Sequence, residues 1–260
     1  MTTSAIETYE LTRRYGENTA VSQLNLTIPQ GEIFGFLGHN GAGKTTTVSL
    51  LTTLLLPTSG SASIFDFDIV KDNRAVRQLI GYVPENVRLY NDLTVAENLR
   101  FLAELSEVKY VDDRITQILD LLGHPEWRDR RVGDFSKGMR QRVGIAQALL
   151  HQPEVLFLDE PASGLDPEGQ RDIGRLITQL NRDFGITIFM NTHQLAEAAR
   201  LCTSIGIMNH GRLVVADTLE NVMARFPDTP SLEEIYLHVE RQEASPDGRI
   251  PATLAEAIRH

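Results

Sequence analysis

The sequence predicts an α/β fold, a sheet of parallel strands with helices packed on it, interrupted by one block of helices. Three observations predict it. The stretch Gly38-His39-Asn40-Gly41-Ala42-Gly43-Lys44-Thr45-Thr46 fits the phosphate-loop pattern G-x-x-x-x-G-K-[S/T]. An apolar run, Ile33–Leu37, precedes it and a helical stretch, Thr47–Leu56, follows it, which is the strand–loop–helix context that the pattern requires. Strand and helix patterns then alternate from Val155 to Leu201, whereas residues 86–150 carry helical patterns with no strand between them.

The loop comes first because its chemistry is the most specific. Gly38, Gly41 and Gly43 let the backbone curl so that its N–H groups face an anion. The helix start behind it adds partial positive charge. Lys44 can reach the β- and γ-phosphates of a nucleotide, and the Thr45 hydroxyl can ligate Mg²⁺. The nucleotide-binding set of this stretch is Gly38, Asn40, Gly41, Ala42, Gly43, Lys44, Thr45 and Thr46. By itself the loop leaves a kinase, a GTPase, a helicase and a transport motor open.

Composition narrows the choice. The chain has 260 residues, enough for one large domain or a core with a subdomain. It is 42% hydrophobic and 23% charged, as in ordinary globular proteins. A net charge of −10 argues against a nucleic-acid binder driven by phosphate contacts. The single Cys202 excludes an internal disulfide and fits a reducing compartment. Met1–Glu10 lacks the apolar core of a signal peptide, and the apolar run near Leu50–Leu56 is far short of the roughly 20 residues of a membrane span. Work at a membrane would need spans from another chain.

In chain order, Ile6–Leu11 and Leu24–Ile28 alternate as strands around a turn at Arg14-Tyr15-Gly16, and Pro29-Gln30-Gly31 turns into Ile33–Leu37. Pro57–Gly60 ends the first helix; Ser61–Phe65 and Gln78–Val83 read as strands. Thr94–Leu105, Asp112–Leu122 and Lys137–Leu150 read as helices, the first opened by a Thr94/Glu97 capping box. Val155–Leu158 is a strand, Pro167–Phe184 a helix, Ile186–Asn191 a strand and Gln194–Leu201 a helix. Ser204–Met208 and Arg212–Ala216 pair across Asn209-His210-Gly211. Short helices follow at Leu219–Phe226 and Leu232–Val239, and residues 241–260 read as a polar, loose tail.

The second half of the site lies after the helical block. Val155–Leu158 is four apolar residues, as suits a parallel strand covered on both faces, and Asp159-Glu160 emerge at its carboxyl end. Asp159 is placed to hold Mg²⁺; Glu160 is placed to orient, or take a proton from, the water that attacks the γ-phosphate. Ser136 is a good N-cap, and with Gly138 it opens a helix that suits a second phosphate contact. His193 ends a strand and could donate to a γ-phosphate. Asp166 sits in a tight turn before Pro167, where an N-cap role competes with a ligand role.

Together these residues resemble the ATP-binding subunit of ABC transporters over about residues 4–239. The loop corresponds to Walker A, Val155–Glu160 to Walker B with its catalytic Glu, Phe135–Met139 to the family signature, Ser163–Asp166 to the D-loop and His193 to the switch histidine. Tyr15 lies where the family's adenine-stacking aromatic lies, and Glu85 stands in place of the Q-loop Gln, where it can ligate Mg²⁺ or a water. Phe135, Lys137 and Met139 depart from the commoner signature, while Ser136 and Gly138 are kept. Glu85, the Ser136–Arg142 run and Leu232–Leu237 are similar to the ATPases of type-2 (ABC-2) exporters.

The resemblance implies a P-loop NTPase core of RecA-like type with an N-terminal antiparallel β subdomain and a helical insertion at about residues 86–150, all within 1–240. It implies an ATPase using ATP and Mg²⁺, with Glu160, His193 and Lys44 catalytic, Thr45, Asp159 and Glu85 on the metal, and Tyr15, Ser136, Gly138 and Asp166 on the nucleotide. It implies pairing with a second copy or a related ATPase. Its other partner would be an integral membrane permease, reached from the cytoplasmic side of the cell membrane and touched by the segment that follows Glu85. A soluble ABC protein of translation or repair fits less well, since only one cassette and no heptad run are present; a scaffold with little turnover is opposed by Glu160.

Overall fold

The computed structural model describes residues 3–226 and 231–243. Two long strands open the chain, β1 (Ser4–Tyr15) and β2 (Asn18–Pro29), paired antiparallel from Ser4↔Pro29 to Tyr15↔Asn18. They extend several residues beyond the alternating runs on either side of the turn. β4 (Ser59–Ile64) adds to β1 and a short β5 (Phe67–Asp68) to β4, so the four strands form one antiparallel sheet in the order β2-β1-β4-β5.

The second sheet carries the site. Its strands are β3 (Ile33–Leu37), β6 (Ile80–Val83), β7 (Val155–Asp159), β8 (Thr187–Asn191), β9 (Ser204–Asn209) and β10 (Arg212–Thr218). Their order is β10-β9-β3-β8-β7-β6, parallel throughout except for β10, which turns back antiparallel along β9. Every residue of β3, β7 and β8 is buried, because both faces are covered. On one face Phe34, Phe36, Phe157 and Phe189 interlock, with ring centroids 5.2–6.2 Å apart, against the antiparallel sheet. On the other face Leu37, Leu156, Leu158, Ile188 and Met190 meet the helices of the middle block.

α1 (Lys44–Leu51) starts inside the phosphate loop and stops five residues before the expected Leu56. Thr52 bonds back to Val48 O at 2.7 Å, Thr53 takes φ 61°, and the amides of Leu54 and Leu55 both donate to Ser49 O. Two β-branched threonines in a row close the helix and turn the chain.

α2 (Asn73–Leu79) is a helix that the sequence does not announce, and it takes in Gln78 and Leu79, where the sequence predicts the start of a strand. The strand begins only at Ile80. Val76 is the one buried side chain of this helix, so no apolar period announced it.

The middle block holds α3 (Val95–Leu105), α4 (Val111–Leu121) and α5 (Lys137–Ala148), with two short 3₁₀ turns, Pro125–Trp127 and Val132–Asp134, between α4 and α5. The capping box is formed: Glu97 N donates to Thr94 Oγ1 at 3.2 Å and Thr94 N to Glu97 Oε2 at 2.7 Å. α6 runs over the expected Pro167–Phe184, between an Asp166 cap and Gly185 at φ 67°. α7 (Leu195–Leu201), α8 (Leu219–Arg225) and α9 (Leu232–Glu243) complete the described elements. α9 runs past Val239 into the expected tail; 244–260 lie outside the described residues.

Candidate nucleotide and hydrolysis site

Parallel strands deliver their carboxyl ends to one edge of a sheet, where open α/β folds bind ligands. Here β3 delivers the phosphate loop, β6 delivers Glu85, β7 delivers Asp159 and Glu160, and β8 delivers Asn191 and His193. The loop, the acids and Tyr15 line one cavity of about 730 Å³.

The loop is rigidly built. Gly41 and Gly43 take φ 85° and 106°, and a Cβ on Gly43 would lie 2.2 Å from Ala20 O, so no other residue fits there. Gly211 N donates to Ala42 O and Ser22 N to Gly211 O, tying the loop to the β9–β10 turn and to β2. Lys44 is 6% exposed, and its ammonium donates to Gly38 O at 2.6 Å and His39 O at 3.1 Å. Burial lowers its pKa, opposed by the charges of Glu160 and Asp159. Thr45 is exposed beside it, on the cavity wall.

Asp159 is 8% exposed, and one of its oxygens accepts from Asn191 Nδ2 across the β7–β8 register. Burial raises its pKa; Asn191 and Lys44 oppose the rise, while Glu160 and Glu85 add to it. Three carboxylates facing one cavity, one of them with its pKa raised by burial, are short of a cation. The buried Asn191 Oδ1 also has no hydrogen-bond partner. These donors fit Mg²⁺, which takes one or two carboxylates and completes its shell with phosphate and water. No group of three His, Cys, Asp or Glu side chains stands at cage spacing among the described residues, and such a cage is not what this ion needs. Thr45, Asp159 and Glu85 are the residues that could hold it.

Glu160 adopts φ 49°, a left-handed turn that carries its side chain away from the strand direction. Its Oε1 lies 2.7 Å from His193 Nδ1, so His193 is joined to Glu160 and lines a neighbouring cavity instead of the phosphate cavity. In this conformation His193 forms a carboxylate–imidazole pair with Glu160. Tyr15 stands partly exposed at the cavity mouth with the Arg13 guanidinium 4.6 Å over its ring.

Ser136, Gly138 and Asp166 are not brought to the phosphate loop. They line a separate cavity of about 460 Å³ at the starts of α5 and α6. Ser136 Oγ accepts from Met139 N at 3.3 Å, and Asp166 Oδ1 from Gly169 N at 3.1 Å. Asp166 is thus the N-cap of α6 and does not line the phosphate cavity of its own chain. Asn191, His210 and Asn18 line the phosphate cavity although the sequence did not single them out. Their places follow from register and turn packing, which leave no local signature; only Asn191, a polar end to an apolar strand, carried a signal.

The ABC transporter family model matches residues 21–163. The bacitracin transport ATP-binding protein BcrA of Bacillus licheniformis is 43% identical over 209 residues, 80% of this chain and 68% of that protein. A solved ATP-binding subunit of an ABC transporter superposes with a TM-score of 0.81 at 29% identity, over 91% of this chain and 99% of that one. The dimeric structure of MJ0796, a bacterial ABC transporter cassette, superposes with a TM-score of 0.73 at 26% identity, over 82% and 98%. With a phosphate loop facing Asp159 and Glu160 inside this fold, the chain belongs to the ABC transporter family, as an ATP-binding, ATP-hydrolysing subunit that powers transport together with a membrane permease.

Proposed function

We propose that the chain is the motor of an ABC-2 type exporter and works as a pair of cassettes. Each ATP is held between the phosphate loop of one copy and the Ser136–Gly138 helix start of the other. The observation that carries this reading is the separation of the two cavities. One holds Lys44, Asp159 and Glu160, and the other holds Ser136 and Gly138, so each copy presents half of a site twice over. The second copy is either this chain again or a related ATPase.

In this reading Tyr15 stacks on the base, and Asn40, Gly41, Ala42, Gly43 and Thr46 turn backbone toward the phosphates. Lys44 moves its ammonium from the loop carbonyls to the β- and γ-phosphates. Magnesium, held by Thr45, Asp159 and Glu85, supplies charge neutralisation between the phosphates when bound. Glu160 accepts the proton of the attacking water while the β–γ bridging P–O bond breaks, which yields ADP and phosphate. His193 donates its Nδ1 proton to Glu160 and so fixes the carboxylate's direction. The γ-phosphate bridges the two copies, so closure needs ATP and hydrolysis reopens the pair.

Among the described residues no helix is long and apolar enough to cross a membrane, so a separate permease supplies the path in this reading, with the cassette peripheral on the cytoplasmic side. The cassette spans about residues 1–240, with residues 86–150 as its helical lever. The contact surface follows Glu85: Tyr90, 58% exposed, packs edge-on to Phe101 with centroids 5.5 Å apart. The buried Asn98 fastens this segment to α3, accepting from Tyr90 N at 2.8 Å and donating to Tyr90 O at 3.1 Å. Outward transport is favoured by the likeness of Glu85, the Ser136–Arg142 run and Leu232–Leu237 to ABC-2 signatures.

Affinity isolation of the tagged chain from detergent-solubilised membranes tests the reading. A multi-span membrane protein is expected to accompany it. Tyr90→Asp is expected to lose that protein and keep the ATPase rate of the isolated chain. Retention by the variant, or no membrane protein with either form, would contradict the proposal.

A further inference from the structure

Arg13 occupies a place that hydrogen bonding alone does not explain. Its guanidinium lies 4.6 Å over the Tyr15 ring, and Nη1 donates to Leu56 O at 2.9 Å. Nε is buried and has no hydrogen-bond partner. Among the described residues no carboxylate stands within ion-pair distance of the group. A half-buried cation with one carbonyl and no counter-ion is unfavourable unless something else compensates it. Here the compensation is the face of an aromatic ring.

We propose that Arg13 is a positioning residue of the nucleotide site: its guanidinium backs one face of Tyr15 and holds the ring ready for the adenine base on the other. The inference rests on the reading of Tyr15 as the aromatic that stacks on the base. Tyr15 lines the cavity of about 730 Å³ that also holds Lys44, and Arg13 does not line it. The guanidinium therefore leaves the cavity side of the ring free. Tyr15 is the last residue of β1 and 45% exposed, so without a partner its ring would turn freely. A ring fixed in advance spares the nucleotide the entropy of ordering it.

The same arginine ties the base platform to the phosphate loop. Leu56 belongs to the segment that leaves α1, and α1 begins in the loop at Lys44. Two further bonds fasten β1 to that segment: Arg14 N donates to Thr58 Oγ1 at 3.0 Å, and Thr58 N donates to Thr12 O at 2.8 Å. This seam, and not the hairpin turn at Gly16, sets the spacing between the Tyr15 ring and the loop. Arg13 joins the two jobs, since one face of its plane meets the ring while Nη1 meets the seam.

Arg13→Ala should weaken ATP binding by roughly three- to tenfold, the scale of one cation–π contact at a partly exposed site. Calorimetric titration of the whole chain gives the affinity. Inorganic triphosphate, which carries no base, should bind the variant and the wild type equally. In steady-state hydrolysis KM for ATP should rise by the same factor while kcat stays unchanged. In a Tyr15→Ala background Arg13→Ala should have no further effect on ATP affinity, because the ring it acts through is gone. Arg13→Met keeps the packed stem and removes the guanidinium; it should show the same loss with a Tm close to that of the wild type, and it decides the matter if Arg13→Ala unfolds.

Wild-type ATP affinity in Arg13→Met would overturn the proposal. So would weakened binding of inorganic triphosphate, or a loss that adds to that of Tyr15→Ala, since either would put the charge to work directly on the phosphates. Tyr15→Ala separates the two layers. If it binds ATP like the wild type, the reading of Tyr15 as the base-stacking residue itself fails. If it binds ATP weakly while both Arg13 variants bind like the wild type, only the role of Arg13 fails.

Discussion

Glu160→Gln is expected to lower ATP hydrolysis by about 10²- to 10⁴-fold, the range for a positioned general base, while ATP still binds. The substitution changes one oxygen for an amide of the same size, so Asp159, Lys44 and the loop keep their places. The φ 49° turn and the Glu160 N→Asn191 O bond of 2.8 Å belong to the backbone and survive it. What is lost is an acceptor for the water's proton, and with it the means to remove the γ-phosphate that bridges the copies. The variant should therefore accumulate as an ATP-bound pair. Phosphate release and light-scattering mass, measured with magnesium and ATP, check both halves. A variant that hydrolyses like the wild type, or that stays monomeric with ATP, would refute the assignment.

Lys44→Ala should weaken ATP binding by at least about 100-fold. Two charge-assisted hydrogen bonds to phosphate contribute about 3 kcal/mol or more, and among the described residues no other lysine or arginine lines this cavity. The change also removes a buried ammonium that holds Gly38 O and His39 O, so the empty loop loses its internal tie. Titration with a fluorescent ATP analogue gives the affinity, and thermal unfolding without nucleotide shows whether the loop remains folded. ATP affinity within a few-fold of wild type would remove Lys44 from the site.

Both predictions act on residues that the sequence made legible, and the reason is local. The loop and its lysine are contiguous, and Asp159-Glu160 follow four apolar residues directly. α6 was readable to the residue because a cap, a proline and a glycine bracket it, and α3 because Thr94 and Glu97 satisfy each other three residues apart. α2 was not, since only Val76 is buried and a surface helix of seven residues carries no period. α1 was read too long because threonine side-chain bonding, not an apolar pattern, ends it.

The site shows the same division. Asn191 opposes Asp159 only through the β7–β8 register. The separation of Ser136 and Gly138 from Lys44 is likewise a fact of packing. Spacing along the chain placed both in one family pattern, yet the fold opens them into different cavities.

That separation is the centre of the account, and a mixing experiment tests it most directly. Lys44→Ala spoils the phosphate loop and leaves the Ser136 helix start intact; Ser136→Arg spoils the helix start and leaves the loop intact. Each variant alone should be inactive. An equimolar mixture should recover ATP hydrolysis, because mixed pairs rebuild one complete site from the two undamaged halves. A mixture as inactive as its components, or a Ser136→Arg chain that hydrolyses ATP by itself at the wild-type rate, would contradict a site shared between copies.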